Sequence, residues 1–133
     1  SYSPRQRMMN SKKIYLLDTG FSLLSTDFSE NKGKLLENVV AIEMFRRRAE
    51  CFYYKGRREC DFIIKEGTKP KAAIQVCYSL TPKNETRELQ GLREAMNAFA
   101  IEEGLILTND EERVLTSAGA KIQVMPVWKW LRN

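Results

Sequence analysis

An α/β domain with a mixed central sheet and helices on its faces is the fold class this sequence predicts. Short β-rich runs alternate with helix-length apolar segments, the pattern of a layered α/β domain rather than a bundle or a sandwich. A hairpin signature directly precedes a third strand. A helix-length segment then separates that strand from another apolar run, as a right-handed crossover to a parallel neighbour requires. The 133 residues, 43% of them apolar, suffice for one buried core without disulfide or metal staples.

Taken in order, "KIYLLDTGFSLL" predicts a strand from Lys13 to Leu17 and a turn at Asp18, Thr19 and Gly20. "STDFSENKG" is expected to be loop. From Lys34 to Arg48 no Gly or Pro occurs, and apolar residues wrap almost all the way round a helix until Phe45. Such a helix is covered on most sides, so Glu37 and Glu43 cannot both be merely solvated. Cys51 to Tyr54 and Glu59 to Lys65 form a hairpin around Lys55, Gly56, Arg57 and Arg58. Pairing Tyr54 with Glu59 sets Phe52 opposite Asp61 and leaves Cys51 and Cys60 out of register, which argues against a disulfide between them. "AAIQVCYSL", residues 72 to 80, is the third strand, ended by Thr81-Pro82. Leu89, Leu92, Met96 and Phe99 recur at helical spacing from Asn84 to Glu103, with Gly104 as the stop. "LILT" is a buried strand, "NDEERVLTSAG" a loop with one helical turn at most, "KIQVMP" a last strand and "VWKWL" a closing helix.

Composition removes several functions. There is no histidine, which excludes His-based triads, HExxH zinc sites and imidazole shuttles. Cys51, Cys60 and Cys77 are an odd set without CxxC spacing, and no signal peptide or long apolar run appears, so a cytoplasmic, reducing location without a membrane is expected. A net charge of +5 is compatible with a polyanion partner but is spread along the chain.

Alternation along "ECDFIIK" points Asp61, Ile63 and Lys65 to one face, while Ala73, Gln75 and Cys77 share a face of the next strand. Two adjacent strands can thus present Asp61, Gln75 and Cys77 beside Glu37 of the preceding helix. This succession, a helix with Glu, a hairpin with Asp, a third strand and a helix, resembles the core of the PD-(D/E)XK nuclease-like fold, whose third strand carries Glu-x-Lys. Ordered blocks along most of the chain, "KIYLLDTG", "GKLLENVVAIEMFRR", "YYKGRRECDFII", "IQVCYSL", "TRELQGL", "LILT" and "VMPVWKWL", further resemble the uncharacterised C-terminal domain of a prokaryotic AAA-type ATPase family.

The resemblance implies a restriction-endonuclease-like α-β-β-β-α-β core over residues 13–133. It also implies that residues 1–12 lead from a missing N-terminal ATPase and winged helix, where ATP alone would bind; no GxxxxGK[ST] occurs here. In an active enzyme of this fold the carboxylates hold Mg²⁺, which activates water, and the strand lysine adds positive charge. Glu37, Asp61 and Gln75 match the metal positions, and Cys77 falls where the lysine would stand. Gln75 supplies a neutral oxygen in place of a charge, and a thiol of ordinary acidity carries no positive charge at neutral pH. Lys65 and Lys71 share faces with Asp61 and Gln75, but four residues of strand rise about 13 Å, too far for either to substitute. Arg87 or Lys83 on the following helix can reach back over the site.

Each residue also has a plain structural role open to it. Asp61 can cap a loop or face solvent, Gln75 can bond a neighbouring backbone or Glu37, and Cys77 can act as a small buried hydrophobe. Arg46, Arg47 and Arg48, like Arg57 and Arg58, are candidate phosphate contacts or a solvated face. Trp128 and Trp130 read as lids on the core. The expected function is a nuclease-like accessory domain of an AAA-type ATPase, catalytically degenerate, that contacts nucleic acid or protein. The alternatives are a Mg²⁺-dependent endonuclease with a variant Glu, Asp and Gln site, and a structural or oligomerisation module.

Overall fold

The computed structural model describes residues 28–133 and the two-residue strand Arg7–Met8, with side chains from Asn31 onward. The expected strand at Lys13 to Leu17 and its turn lie outside the described residues. Among those described, the elements are β1 (Arg7–Met8), α1 (Phe28–Arg46), β2 (Glu50–Lys55), β3 (Glu59–Glu66), β4 (Lys69–Val76), α2 (Glu85–Phe99), β5 (Glu103–Thr108), β6 (Arg113–Ser117), β7 (Ala120–Pro126) and α3 (Val127–Leu131). The strands form one mixed sheet in the order β1-β2-β3-β4-β5-β7-β6. β4 and β5 run parallel, as do β5 and β7, so α2 is the crossover between the first pair.

Both faces of the sheet are covered, which is why its central strands read as continuous apolar runs. On one face Ala73, Ile106, Ile122 and Val124 pack under Leu92, Ala95 and Met96 of α2. On the other, Ile74, Phe62 and Leu107 pack under Val40, Ala41 and Met44 of α1 and Val127 and Trp130 of α3. No helix among the described residues is long and apolar enough to cross a membrane.

The third strand runs Lys69–Val76, earlier than the expected residues 72 to 80, which leaves Cys77 to Leu80 in the loop after it. Four further expectations change. α1 begins at Phe28 inside the stretch expected to be loop, and Gly33 lies within it. There, the helix propensity deficit of glycine, about 1 kcal/mol, is overridden by packing. α2 ends at Ala100, not Gly104: Ala100 takes a left-handed conformation (φ 53°), and Ile101 N–H donates to Met96 O at 2.8 Å. Gly104 is a strand residue, and a Cβ there would lie 2.6 Å from the Met96 sulfur. The acidic "NDEERVLTSAG" contains β6, joined to β7 by Ala118 and Gly119, both at positive φ. A two-residue turn with both φ positive matches the twist of a hairpin.

The hairpin register is the fourth. Tyr54 pairs with Cys60 and Lys55 with Glu59, while Phe52 pairs with Ile63. Tyr53 alone therefore spans the two residues Asp61 and Phe62, a bulge on β3. It breaks simple alternation: Cys60 and Ile63 face α2, whereas Phe62 faces α1. Bulges re-aim side chains, and Asp61 is one of the two residues this one displaces.

Candidate functional site

Beyond Phe62 and Ile74 the β3–β4 ladder stops, and side chains take its place. Asp61 N–H donates to Gln75 Oε1 at 3.0 Å, and Val76 N–H donates to Asp61 Oδ2 at 2.8 Å. The two strands splay there, held by these bonds instead of backbone pairing. Gln75 Nε2 then donates to Glu59 O at 2.9 Å and to Glu88 O at 3.2 Å. One buried amide thus ties β3, β4 and α2 together.

Gly91 makes this possible. A Cβ on it would lie 2.1 Å from Glu59 O and 2.7 Å from Gln75 Nε2, so only glycine lets α2 seat this closely on the end of β3. The loop after β4 is built with similar care. Cys77 N–H donates to Leu107 O, Asn84 Oδ1 accepts from Thr81 N–H, and Asn84 Nδ2 donates to Ser79 O and Cys77 Sγ. Glu111 accepts from Leu80 N–H at 2.8 Å.

Above the splayed strands opens a cleft of about 710 Å³. Glu37, Asp61, Gln75, Cys77 and Arg87 all line it, as do Arg57 and Arg58 of the hairpin tip, so the fold gathers these sequence-selected residues in one place. Lys83 is not in the lining. Lys34, from the first half of α1, Glu59, from the start of β3, and Glu88, from the first turn of α2, complete the charged wall. Exposure sorts most of the charges. The cations Lys34, Arg57, Arg58 and Arg87 are exposed, as is the carboxylate of Glu59, whereas Glu37, Asp61 and Glu88 are half-buried and Gln75 and Cys77 buried.

Arg46, Arg47 and Arg48 lie elsewhere, twelve or more residues along α1 from Lys34, about 18 Å of helix. Two of them are already occupied. Arg46 and Arg47 both bond the Glu43 carboxylate at 2.6 to 2.9 Å, and the Arg47 guanidinium lies 4.6 Å from the Trp130 ring centre. These contacts hold the Glu43 carboxyl down at about 2, against the pull of burial. Arg48 takes the left-handed conformation (φ 56°) that ends α1. Trp130 is buried as a lid, whereas Trp128 is exposed.

Glu88 is the residue sequence reasoning missed. Burial and the charge of Asp61 raise its carboxyl above the ordinary range, and Arg87 at 3.4 Å opposes this weakly. Its signal was present but diluted, since one Glu in a first helical turn is ordinary. Burial first, and the nearby Glu88 charge second, push the Cys77 thiol up to about 11, so it is neutral at physiological pH.

Two of the three residues at the matching metal positions, Gln75 and Asp61, already use oxygens in hydrogen bonds that Mg²⁺, which takes oxygen ligands in a near-ideal octahedron, would have to share. Gln75 has its oxygen on Asp61 N–H and both amide hydrogens committed, and Asp61 has already given an oxygen to Val76. Among the described residues no three acidic or thiol side chains are grouped as a metal would need.

The profile of the family described as Domain of unknown function (DUF4143) matches residues 32–130. The chain belongs to this family. The match runs from α1 into α3 and so includes every wall of the cleft. A curated relative, "Uncharacterized protein MJ1544" of Methanocaldococcus jannaschii, is 33% identical over 98% of this chain. This DUF4143 chain spans about a third of that protein, 31% of its length. No solved structure matches it.

Proposed function

We propose that this domain is a non-catalytic nucleic-acid-binding module on a nuclease-like core, serving an AAA-type ATPase in a longer protein. The carrying observation is the cleft whose exposed wall is predominantly cationic, with Lys34, Arg57, Arg58 and Arg87 drawn from three separate elements against one exposed carboxylate, Glu59. Separated cations converging on one opening suit a phosphate backbone, which is bound chiefly through charge. The succession α1-β2-β3-β4-α2-β5 agrees with the order the nuclease-like resemblance implies and supports that reading of the core.

The endonuclease alternative asks Gln75 and Cys77 to serve as ligand and activator. A fully bonded amide and a neutral buried thiol argue against it. The module reading is tested by fluorescence anisotropy with labelled single- and double-stranded oligonucleotides between 50 and 300 mM salt. Three neutralised phosphates predict a slope of log K against log salt of about −2 for a single strand. Arg57→Ala with Arg58→Ala should flatten that slope by about 1 and weaken binding. Absence of salt-dependent binding at low salt would leave the structural or oligomerisation role, and cleavage of the probe in Mg²⁺ would restore the enzyme.

A further inference from the structure

The lining of the cleft is layered. All four cations stand exposed around it, and three of its four carboxylates, Glu37, Asp61 and Glu88, sit deeper, Glu59 alone being exposed. A bare phosphate fits the outer layer and is repelled by the inner one. A ligand satisfying both carries anions on its outside and N–H donors on the part that enters. A nucleotide of a single strand has this shape, because its base is free to leave the stack and offer its Watson–Crick edge. A volume of about 710 Å³ admits such a unit, and small-molecule sites run from roughly 300 to 1,000 Å³.

Resting on the nucleic-acid reading above, we infer that the cleft takes one unstacked guanine of a single strand, with Glu88 as the acceptor for its ring N–H and amino group. Guanine presents two adjacent donors at the spacing of a carboxylate's two oxygens, and a charged, paired bond of this kind is the strong type. Glu88 is suited to the role by position. It projects from the first turn of α2, is 16% exposed at its side chain, and lies within the electrostatic reach of both Asp61 and Cys77. Its own peptide carbonyl is tied down by Gln75, so its backbone is fixed against the strand ends. Its ion-pair partner among the described residues, Arg87, is 3.4 Å away and largely exposed, a contact that yields to a ligand readily. Tyr78, in the same lining, offers an aromatic ring to an entering base, with Lys32 Nζ already 5.0 Å from its centre on one face.

The groups facing Glu88 are Asp61 from β3, Cys77 from the loop after β4, and Arg87 beside it. With Asp61 opposing its ionisation, Glu88 gains most from a ligand that donates to the ionised form. Bound guanine therefore favours the carboxylate, and binding should weaken as pH falls and Glu88 takes up a proton.

The test uses labelled single-stranded hexamers, one with a single central guanine and the other with inosine there, which lacks only the 2-amino group. Anisotropy should show the guanine hexamer binding wild type about tenfold more tightly, since a site built on a charged acceptor rejects the analogue missing a donor. In Glu88→Gln, checked for an unchanged unfolding midpoint, the two hexamers should bind alike while the salt slope is kept. Equal affinities for guanine and inosine in wild type, with salt-dependent binding intact, overturn the guanine assignment and leave the nucleic-acid reading standing. No binding of either hexamer overturns both.

Discussion

Replacing Gln75 by glutamate puts the two roles open to this position in direct opposition. As a metal ligand the new carboxylate should help, whereas as a clamp it should harm. Gln75 is 3% exposed, donates twice and accepts once. Gln75→Glu keeps the acceptor for Asp61 N–H but turns both donors into an oxygen facing the Glu59 and Glu88 carbonyls. Two lost net hydrogen bonds at about 1 kcal/mol each, plus a carbonyl left unsatisfied at about 1 kcal/mol or more, give a loss of roughly 3 kcal/mol. A urea m-value of about 1.5 kcal/mol/M converts this to a midpoint lowered by about 2 M.

The pH dependence has a definite sign. The introduced carboxyl is buried, faces two carbonyl oxygens and neighbours Asp61 and Glu88, so its folded pKa lies above the unfolded value of about 4.3. The folded state then binds more protons than the unfolded one, and stability falls as pH rises. The penalty is therefore largest near pH 7.5 and shrinks toward pH 5. Urea melts of wild type and Gln75→Glu at both pH values, with and without 10 mM Mg²⁺, read all of this. A ligand of about 100 μM affinity would return about 2.7 kcal/mol at that concentration. If Mg²⁺ restores the variant, or Gln75→Glu with Cys77→Lys, by that much, Gln75 occupies a metal slot and the clamp argument fails.

Three further outcomes follow from the same packing. Gly91→Ala should destabilise by about 1–3 kcal/mol despite alanine's better helix propensity, because its Cβ would meet Glu59 O at 2.1 Å; chemical denaturation reads it. Glu43, held at about 2 by Arg46 and Arg47, contributes stability above its unfolded pKa near 4.5 that is lost as pH falls toward 2, so Glu43→Gln should flatten the acid limb of a stability-versus-pH curve. Cys51, Cys60 and Cys77 are all buried, with no disulfide among the described residues; with the Cys77 thiol at about 11, about one in a thousand is ionised at pH 8. An Ellman titration should accordingly find the three thiols fast only in denaturant.

How legible the molecule was in its sequence depended on which forces set each part. The order α1, hairpin, third strand, α2 and "LILT" could be read because apolar period and helix length both follow burial. The parallel neighbour of β4 was likewise accessible, since a helix between two strands allows few connections. What failed was chemistry decided by single contacts. Nothing in "ECDFIIK" announces that Asp61 and Phe62 share one partner, because a bulge costs one residue and leaves composition untouched. Gly104 looked like a helix stop and is a close-packing residue, a distinction only Met96 across the gap can make. Of the arginine runs, one lines the cleft, whereas Arg46 and Arg47 of the other are spent on Glu43 and Trp130, although both are basic in sequence. The possibility that Gln75 bonds neighbouring backbone does hold in the structure, through Glu59, Glu88 and Asp61.

One consequence of this geometry concerns the hairpin tip, where flexible arginines would ordinarily be expected. Arg58 N–H is held by both oxygens of Glu94 at 3.2 and 3.3 Å, and Gly56 N–H donates to Arg58 O at 2.9 Å. A Cβ on Gly56 would lie 2.2 Å from Glu94 Oε2 and 2.3 Å from the Tyr54 hydroxyl, so the tip meets α2 through the Glu94 side chain, a more yielding contact than the backbone one at Gly91. Glu94, Gly91 and Glu88 all belong to α2. The helix that carries Arg87 and Glu88 therefore also holds the Arg58 peptide at the hairpin tip, so one element contacts the cleft wall at two places. Preorganised cations lose less freedom on meeting a phosphate than loop cations do. Loosening α2 should therefore weaken binding without removing any charge.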